Sequence, residues 1–181
     1  MSGTVEERMR RAVEAFAKDL GGYRTGRASA SLVEHITVEH YGAKTPLNQM
    51  AGISVPENTL LVVQPWDPSA IPAIEKALNN AQLGMTPAVD GNIIRLRVPS
   101  MTEDRRKELV KQMGKRTEEA RIEVRNVRRD EQEAIKKLEK SKEIGEDDAR
   151  RRLDALQKAT DVKIAEIERT AAAKEREVLE G

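Results

Sequence analysis

The 181-residue sequence predicts an α+β protein of two domains. A long antiparallel three-helix bundle, residues 1–29 and 102–181, carries an inserted small α/β (β/α/β) module, residues 30–101. Three observations carry that expectation. From Thr102 to Glu180 there is no proline and there are only two glycines, Gly114 and Gly145, while apolar residues recur at alternating spacings of three and four. A shorter stretch near the N-terminus repeats that spacing. Between them lie all seven prolines, from Pro46 to Pro99, and the helical period is lost.

Val5, Met9, Val13, Phe16, Leu20 and Tyr23 place one apolar stripe on an amphipathic first helix. Gly21-Gly22 costs that helix about 1 kcal/mol per glycine relative to alanine, but Tyr23 keeps the register, so the helix is expected to run on towards Gly26. In the module, Ile36, Val38 and His40 alternate with Thr37, Glu39 and Tyr41, as in a half-buried strand that ends in a turn at Gly42. Ile53 to Val55 suits a short strand, and the apolar run from Thr59 to Gln64 suits a buried one. Asp67-Pro68 supplies an N-cap and a proline for the first turn of a helix reaching about Gln82, with Gly84 placed to stop it. Asp90-Gly91 marks a turn before a last strand, Asn92 to Val98.

Leu109, Met113, Thr117, Ala120, Val124, Val127, Glu131, Ala134 and Leu138 line the second long helix, which Ser100 or Thr102 caps. Leu153, Leu156, Thr160, Ile164, Ile167, Ala171 and Val178 line the third. Ile144-Gly145 separates the two, and Glu146-Asp147-Asp148 complements the positive N-terminal end of the third. At about 1.5 Å per residue each long helix spans roughly 50–60 Å. The module joins the bundle through two linkers, Ala28, Ser29, Ala30 and Ser31 on one side and Val98, Pro99, Ser100 and Met101 on the other. Paired linkers of this kind suit a hinge; a rigidly docked module fits the sequence equally well.

The composition excludes several classes of function. With no cysteine there is no disulfide, thiolate zinc site or cysteine nucleophile. His35 and His40 are five apart, on opposite faces of the expected strand, which does not suit a shared metal. Neither G-x-x-x-x-G-K-[ST] nor G-x-G-x-x-G occurs. The acids at 146–148 are read as helix-terminal charge, with no spaced calcium loop around them. No catalytic residue, metal or cofactor is expected, and the protein is read as not an enzyme. No apolar run approaches the ~20 residues of a membrane span, and Glu6, Glu7, Glu14 and Asp19 do not suit a transit peptide. A cytoplasmic monomer that does not bind membranes is expected.

One feature stands out from the mixed charge, which is 35% of residues for a net charge of only +1. Arg121, Arg125, Arg128 and Arg129 lie roughly 60°, 100°, 40° and 140° round the helix from Val124, in one strip beside the apolar stripe. The pairs 121/125 and 125/129 are like charges at i, i+4, each destabilising by about 0.2–0.5 kcal/mol; Glu118 offsets part of this. Two readings stand on spacing alone. The strip suits phosphate recognition, because guanidinium groups bind phosphate oxygens bidentately. It also suits a core boundary, with aliphatic stems covering the bundle and heads bridging to neighbouring helices. Arg24 and Arg27 form a second basic spot, which doubles as favourable charge at a helix C-terminus. Only four aromatic residues are present, too few for a single-strand stacking platform.

The chain resembles the bacterial ribosome recycling factor family throughout. The resemblance rests on Arg24-Thr-Gly-Arg-Ala-Ser29, Tyr41-Gly with Thr45-Pro-Leu47, Thr102-Glu-Asp-Arg-Arg-Lys107, Val124-Arg-Asn-Val-Arg-Arg-Asp130 and Glu146-Asp-Asp148, collinear over the chain. It implies an L-shaped, transfer-RNA-like molecule with a hinged module. It implies a translation factor that, with elongation factor G and GTP hydrolysis by that partner, splits post-termination ribosomes into subunits for reuse. It further implies that Arg125, Arg128 and Arg129 meet large-subunit ribosomal RNA at the inter-subunit face, with Arg24 and Arg27 in the same functional region. Such RNA offers phosphates and shape, which need arginines and not stacking rings. Two departures from the family pattern are Gly21-Gly22, in place of stronger helix formers, and Gly145, where a serine cap is usual. The competing readings are a coiled-coil adaptor or chaperone, whose affinity would follow the apolar stripes, and an enzyme within the module, which offers only scattered ionisable groups.

Overall fold

The structure, a computed structural model, describes residues 3–180. The chain begins with helix α1 (Val5–Gly21). Thr4 and Glu7 cap each other, the Glu7 N–H donating to Thr4 Oγ1 and the Thr4 N–H to Glu7 Oε2, a reciprocal box that fixes where the helix starts. The helix does not run on to Gly26. It stops at Gly21, whose freed carbonyl accepts from the Ser31 hydroxyl at 3.4 Å, and Thr25 and Gly26 beyond it are buried outside any helix. The glycine pair ends the helix where its propensity is poorest, a hydroxyl donor serves the Gly21 carbonyl, and the next residues are buried.

A hairpin follows, β1 (Thr37–His40) with β2 (Ala43–Pro46). Tyr41 and Gly42 both have positive φ, at 50° and 75°, the combination that matches a two-residue turn to the strands' right-handed twist. Then come β3 (Ala51–Glu57), β4 (Leu60–Pro65), helix α2 (Ile71–Asn80), β5 (Pro87–Asp90) and β6 (Ile93–Arg97). The last four strands form an antiparallel sheet in the order β3-β4-β6-β5. Asp67 caps the 3-10 turn that leads into α2 by accepting from the Ser69 N–H at 3.0 Å, and the Ser69 hydroxyl first, with this N–H second, holds the Asp67 carboxyl below its ordinary range. Leu61 and Val63 of β4 and Ile94 and Leu96 of β6 turn one face of the sheet to Ile74 and Leu78 of α2. The two strands that the residue pattern does not announce, β2 and β5, are short and mostly exposed, so neither carries a clean alternation.

The long helices are α3 (Glu103–Lys140) and α4 (Glu146–Glu180). Thr102 Oγ1 accepts from the Arg105 N–H at 3.2 Å, so Thr102 is the cap of α3. Lys142, at φ +62°, closes its far end, with the Glu143 N–H donating to the Leu138 carbonyl at 3.0 Å. The α3 stripe is buried as its spacing predicts from Leu109 to Val127, but beyond that Ala134 is exposed and Ile135 is buried. Ile135 stands about 80° round from the line of Leu109. Burial there follows the larger apolar side chain, which shares a small cleft with Val5 and Leu156.

Two compact units result. The first comprises the described residues up to Leu20 with Lys107–Arg176, and the second comprises Gly21–Arg106 with the described residues from Glu177. Within the first, Arg8 pairs with Asp130 and Asp19 with Arg116, so α1 runs antiparallel to α3. Arg121 with Glu168 and Arg128 with Gln157 give the same sense to α3 and α4. Buried Thr117 and Thr160 donate their hydroxyls to the carbonyls four residues earlier, each at 2.7 Å, which satisfies them within the core. Within the second unit, Val98 belongs to the core and Ala28 packs against it. Both linkers are tied to one turn: the Ala28 N–H donates to the Asn58 carbonyl and the Val98 N–H to the Thr59 carbonyl, each at 2.7 Å. Ser29 caps the 3-10 turn Ala30–Leu32.

Candidate nucleic-acid interface

The four arginines of α3 share one strip, but their partners differ. Arg121 is fully engaged. Its Nε and Nη2 meet the two carboxylate oxygens of Glu168 on α4 at 2.6 and 2.9 Å, and Nη1 meets Glu118 at 2.9 Å. The hydrogen bonds to Glu168 and then Glu118 push the Arg121 pKa up, and the reciprocal bonds hold the Glu168 carboxyl below its ordinary value. Arg125 is exposed, with Glu118 Oε1 at 3.5 Å as a looser partner. Arg128 is half-buried and donates from Nη1 to the Gln157 side-chain carbonyl at 3.3 Å. Arg129 is exposed and has no ion-pair or hydrogen-bond partner among the described residues.

The two readings of the strip therefore divide by residue. Arg121 is a core-boundary clamp. Its bidentate geometry matches what a phosphate would ask of it, and a carboxylate already occupies that geometry. Arg125 and Arg129 are exposed, and half-buried Arg128 has no carboxylate against it, only the Gln157 amide. Local spacing could not reveal Glu168 or Gln157, which lie on another helix. The available signal was position: each flanks the α4 stripe, next to Ile167 and Leu156, where a partner for a boundary arginine has to stand.

Glu168→Gln tests the clamp. A carboxyl with a depressed folded pKa contributes stability above its ordinary value, near 4.5, and that contribution is lost as pH falls through the folded value. Glu168→Gln should therefore narrow the stability difference between neutral pH and pH ~3, by less than about 1 kcal/mol for an exposed pair. Urea denaturation at both pH values measures it, and an unchanged difference would show that the pair contributes nothing.

Arg24 and Arg27 belong to the second unit, the α3 strip to the first. Arg24 donates from Nη2 to the Gln82 carbonyl at 2.9 Å, so it satisfies a backbone acceptor just beyond α2. Gly84, at φ +73°, is glycine for two reasons, since an added Cβ would also stand 2.6 Å from Arg24 Nη1. Gly84→Ala should cost about 1–2 kcal/mol from backbone strain and the displaced guanidinium. Faster amide exchange across residues 78–86 would register it, and unchanged exchange would show that Arg24 does not hold this turn. Arg27 is half-buried. His35 does not share a strand with His40 as expected; it lies in the turn before β1 beside Glu34, whereas His40 is 4.0 Å from Asp67. Among the described residues no three potential metal-ligating side chains gather, and no helix is long and apolar enough to cross a membrane.

A sequence model of the family described as ribosome recycling factor matches residues 16–179. The chain belongs to the ribosome recycling factor family. It is 51% identical over 175 residues to the ribosome-recycling factor of Symbiobacterium thermophilum, covering 97% of this chain and 95% of that one. It is 53% identical to that of Bradyrhizobium sp. strain ORS 278, covering 97% and 94%. Among solved structures, it is similar to a solution structure of a ribosome recycling factor, with a TM-score of 0.81 and 48% identity over 98% of this chain and 94% of that one. A second similarity, with a TM-score of 0.70 and 40% identity over 97% and 95%, is to a structure giving models for the T. thermophilus ribosome recycling factor and the E. coli elongation factor G bound to the E. coli post-termination complex. The family's two-part α+β architecture is the one this chain adopts.

Proposed function

We propose that this protein recycles ribosomes: in the cytoplasm, with elongation factor G, it separates post-termination ribosomes into subunits. Family membership over residues 16–179 is the observation that carries this reading. GTP hydrolysis by the partner drives the separation, and this chain contributes no catalytic group; it binds and transmits force. Arg125, Arg128 and Arg129 grip ribosomal RNA phosphates at the inter-subunit face, which is supported by the exposure of Arg125 and Arg129 and by the uncharged partner of Arg128. Arg121 holds α3 to α4 beside them. The module's two linkers form the joint. Because Ala28 and Val98 are bonded to adjacent residues of one turn, the linkers move as a pair, with bending at their outer ends, towards Gly21-Gly22 and Pro99–Met101.

Light scattering of post-termination ribosomes mixed with this protein, elongation factor G and GTP tests the reading. The expected result is a fall in scattering that requires all three. A protein that neither lowers scattering nor pellets with ribosomes would overturn it.

A further inference from the structure

Arg121 and Arg128 stand one heptad apart on α3, and each faces a polar side chain of α4 across the same seam. What they meet differs in charge as well as in number: Arg121 makes two bonds to Glu168 and one to Glu118, Arg128 one bond to Gln157. Arg121 meets the carboxylate of Glu168, which neutralises it. Arg128 meets the side-chain amide of Gln157, which accepts its hydrogen bond and leaves its charge uncompensated. The amide's other end is fixed too, since Gln157 Nε2 donates to Asp161 Oδ1 at 2.9 Å. That assigns the amide's orientation: turned over, it would set an NH2 against the guanidinium and a carbonyl against a carboxylate, and both contacts repel. Arg128 Nε is shielded from solvent and has no hydrogen-bond partner, so the stem is packed in place, and with Nη1 on Gln157 it is Nη2 that remains for a ligand.

From this contrast we propose that Gln157 is a positioning residue for Arg128: it holds the guanidinium at the edge of the α3–α4 seam while leaving its positive charge available to an RNA phosphate. The inference rests on the proposed role of Arg128 in ribosome binding. Its physical content is the choice of an amide over an acid. Glutamate at 157 would have the same shape and convert the contact into a second clamp of the Arg121–Glu168 kind. A phosphate would then have to displace a carboxylate before it could bind.

The test measures ribosome affinity at several salt concentrations for the wild type, Gln157→Glu, Gln157→Ala and Arg128→Ala. Gln157→Glu gains an ion pair with Arg128 but sets a second carboxylate against Asp161, so thermal stability should change little, while binding should weaken about tenfold and the log–log salt dependence flatten by about one unit, as the loss of one phosphate contact does. Gln157→Ala keeps the charge and loses its orientation. It should retain the wild-type slope and bind a few-fold more weakly. If Arg128→Ala lowers affinity and slope but Gln157→Glu behaves as wild type, the positioning role is wrong and Arg128 acts alone. If Arg128→Ala itself changes neither quantity, the premise that Arg128 touches phosphate fails, and this role for Gln157 falls with it. Equal slopes for Gln157→Glu and Gln157→Ala, both as in the wild type, would likewise overturn the distinction between acid and amide.

Discussion

Phe16→Ala should destabilise the helical unit by about 3–5 kcal/mol, the range for deleting a fully buried aromatic side chain. Phe16 is 0% exposed and heads the fully buried large side chains. Its ring also supports a charged layer above the core. The Arg116 guanidinium lies 5.6 Å from the ring centroid, and the same group reaches Asp19 at 2.8 Å and Glu123 at 3.6 Å. With the ring gone, α1 and α3 lose both the filled volume and the surface on which Arg116 rests, a cation–π contact of about 0.5–2 kcal/mol. Helices dominate this unit, so urea denaturation followed by circular dichroism reads the loss directly. A change smaller than about 1.5 kcal/mol, the range of volume-conserving core swaps, would mean that the α1 stripe is not the bundle's core.

The depth of that core was legible because Met9, Phe16 and Leu20 sit on one line of a helix and nothing nearby competes for them. Other positions show where local reading stops. Extrapolating the stripe names Ala134, yet Ile135 is buried; spacing registers direction but not how much each side chain gains by burial. Extrapolating Tyr23 extends α1 past its glycines, whereas the helix stops at Gly21, where Ser31, ten residues on, supplies a hydroxyl to the freed carbonyl. The start of α1 was missed although its signal, the T-x-x-E of Thr4 and Glu7, is wholly local. The same contrast governs the arginine strip. Its angular placement follows from the helix period alone. Its division into one clamped guanidinium group and three more loosely held ones depends on Glu168 and Gln157, whose registration with α3 is set by the packing of two helices joined through a turn at Lys142.

That division makes the second large prediction specific. Replacing Arg125, Arg128 and Arg129 together by alanine should lower ribosome affinity by about a hundredfold or more, taking roughly 1 kcal/mol for each lost charge-assisted contact. It should also flatten the salt dependence by about three units, one per phosphate contact. Arg121→Ala should do the reverse: it breaks the bidentate pair with Glu168 and weakens the α3–α4 seam, while the slope stays near its wild-type value because that charge is already neutralised. The triple variant should stay folded, although it loses the packed stem of Arg128 and its bond to Gln157. Removing the 125/129 like-charge pair relieves about 0.2–0.5 kcal/mol, and alanine is the best helix former at each site. Lost binding can then be separated from lost structure by circular dichroism on the same samples. Ribosome titrations across a salt series decide the matter. If the triple variant kept its affinity and slope, the strip would be a core boundary along its whole length, and the contact with RNA would have to be sought on another surface of the protein.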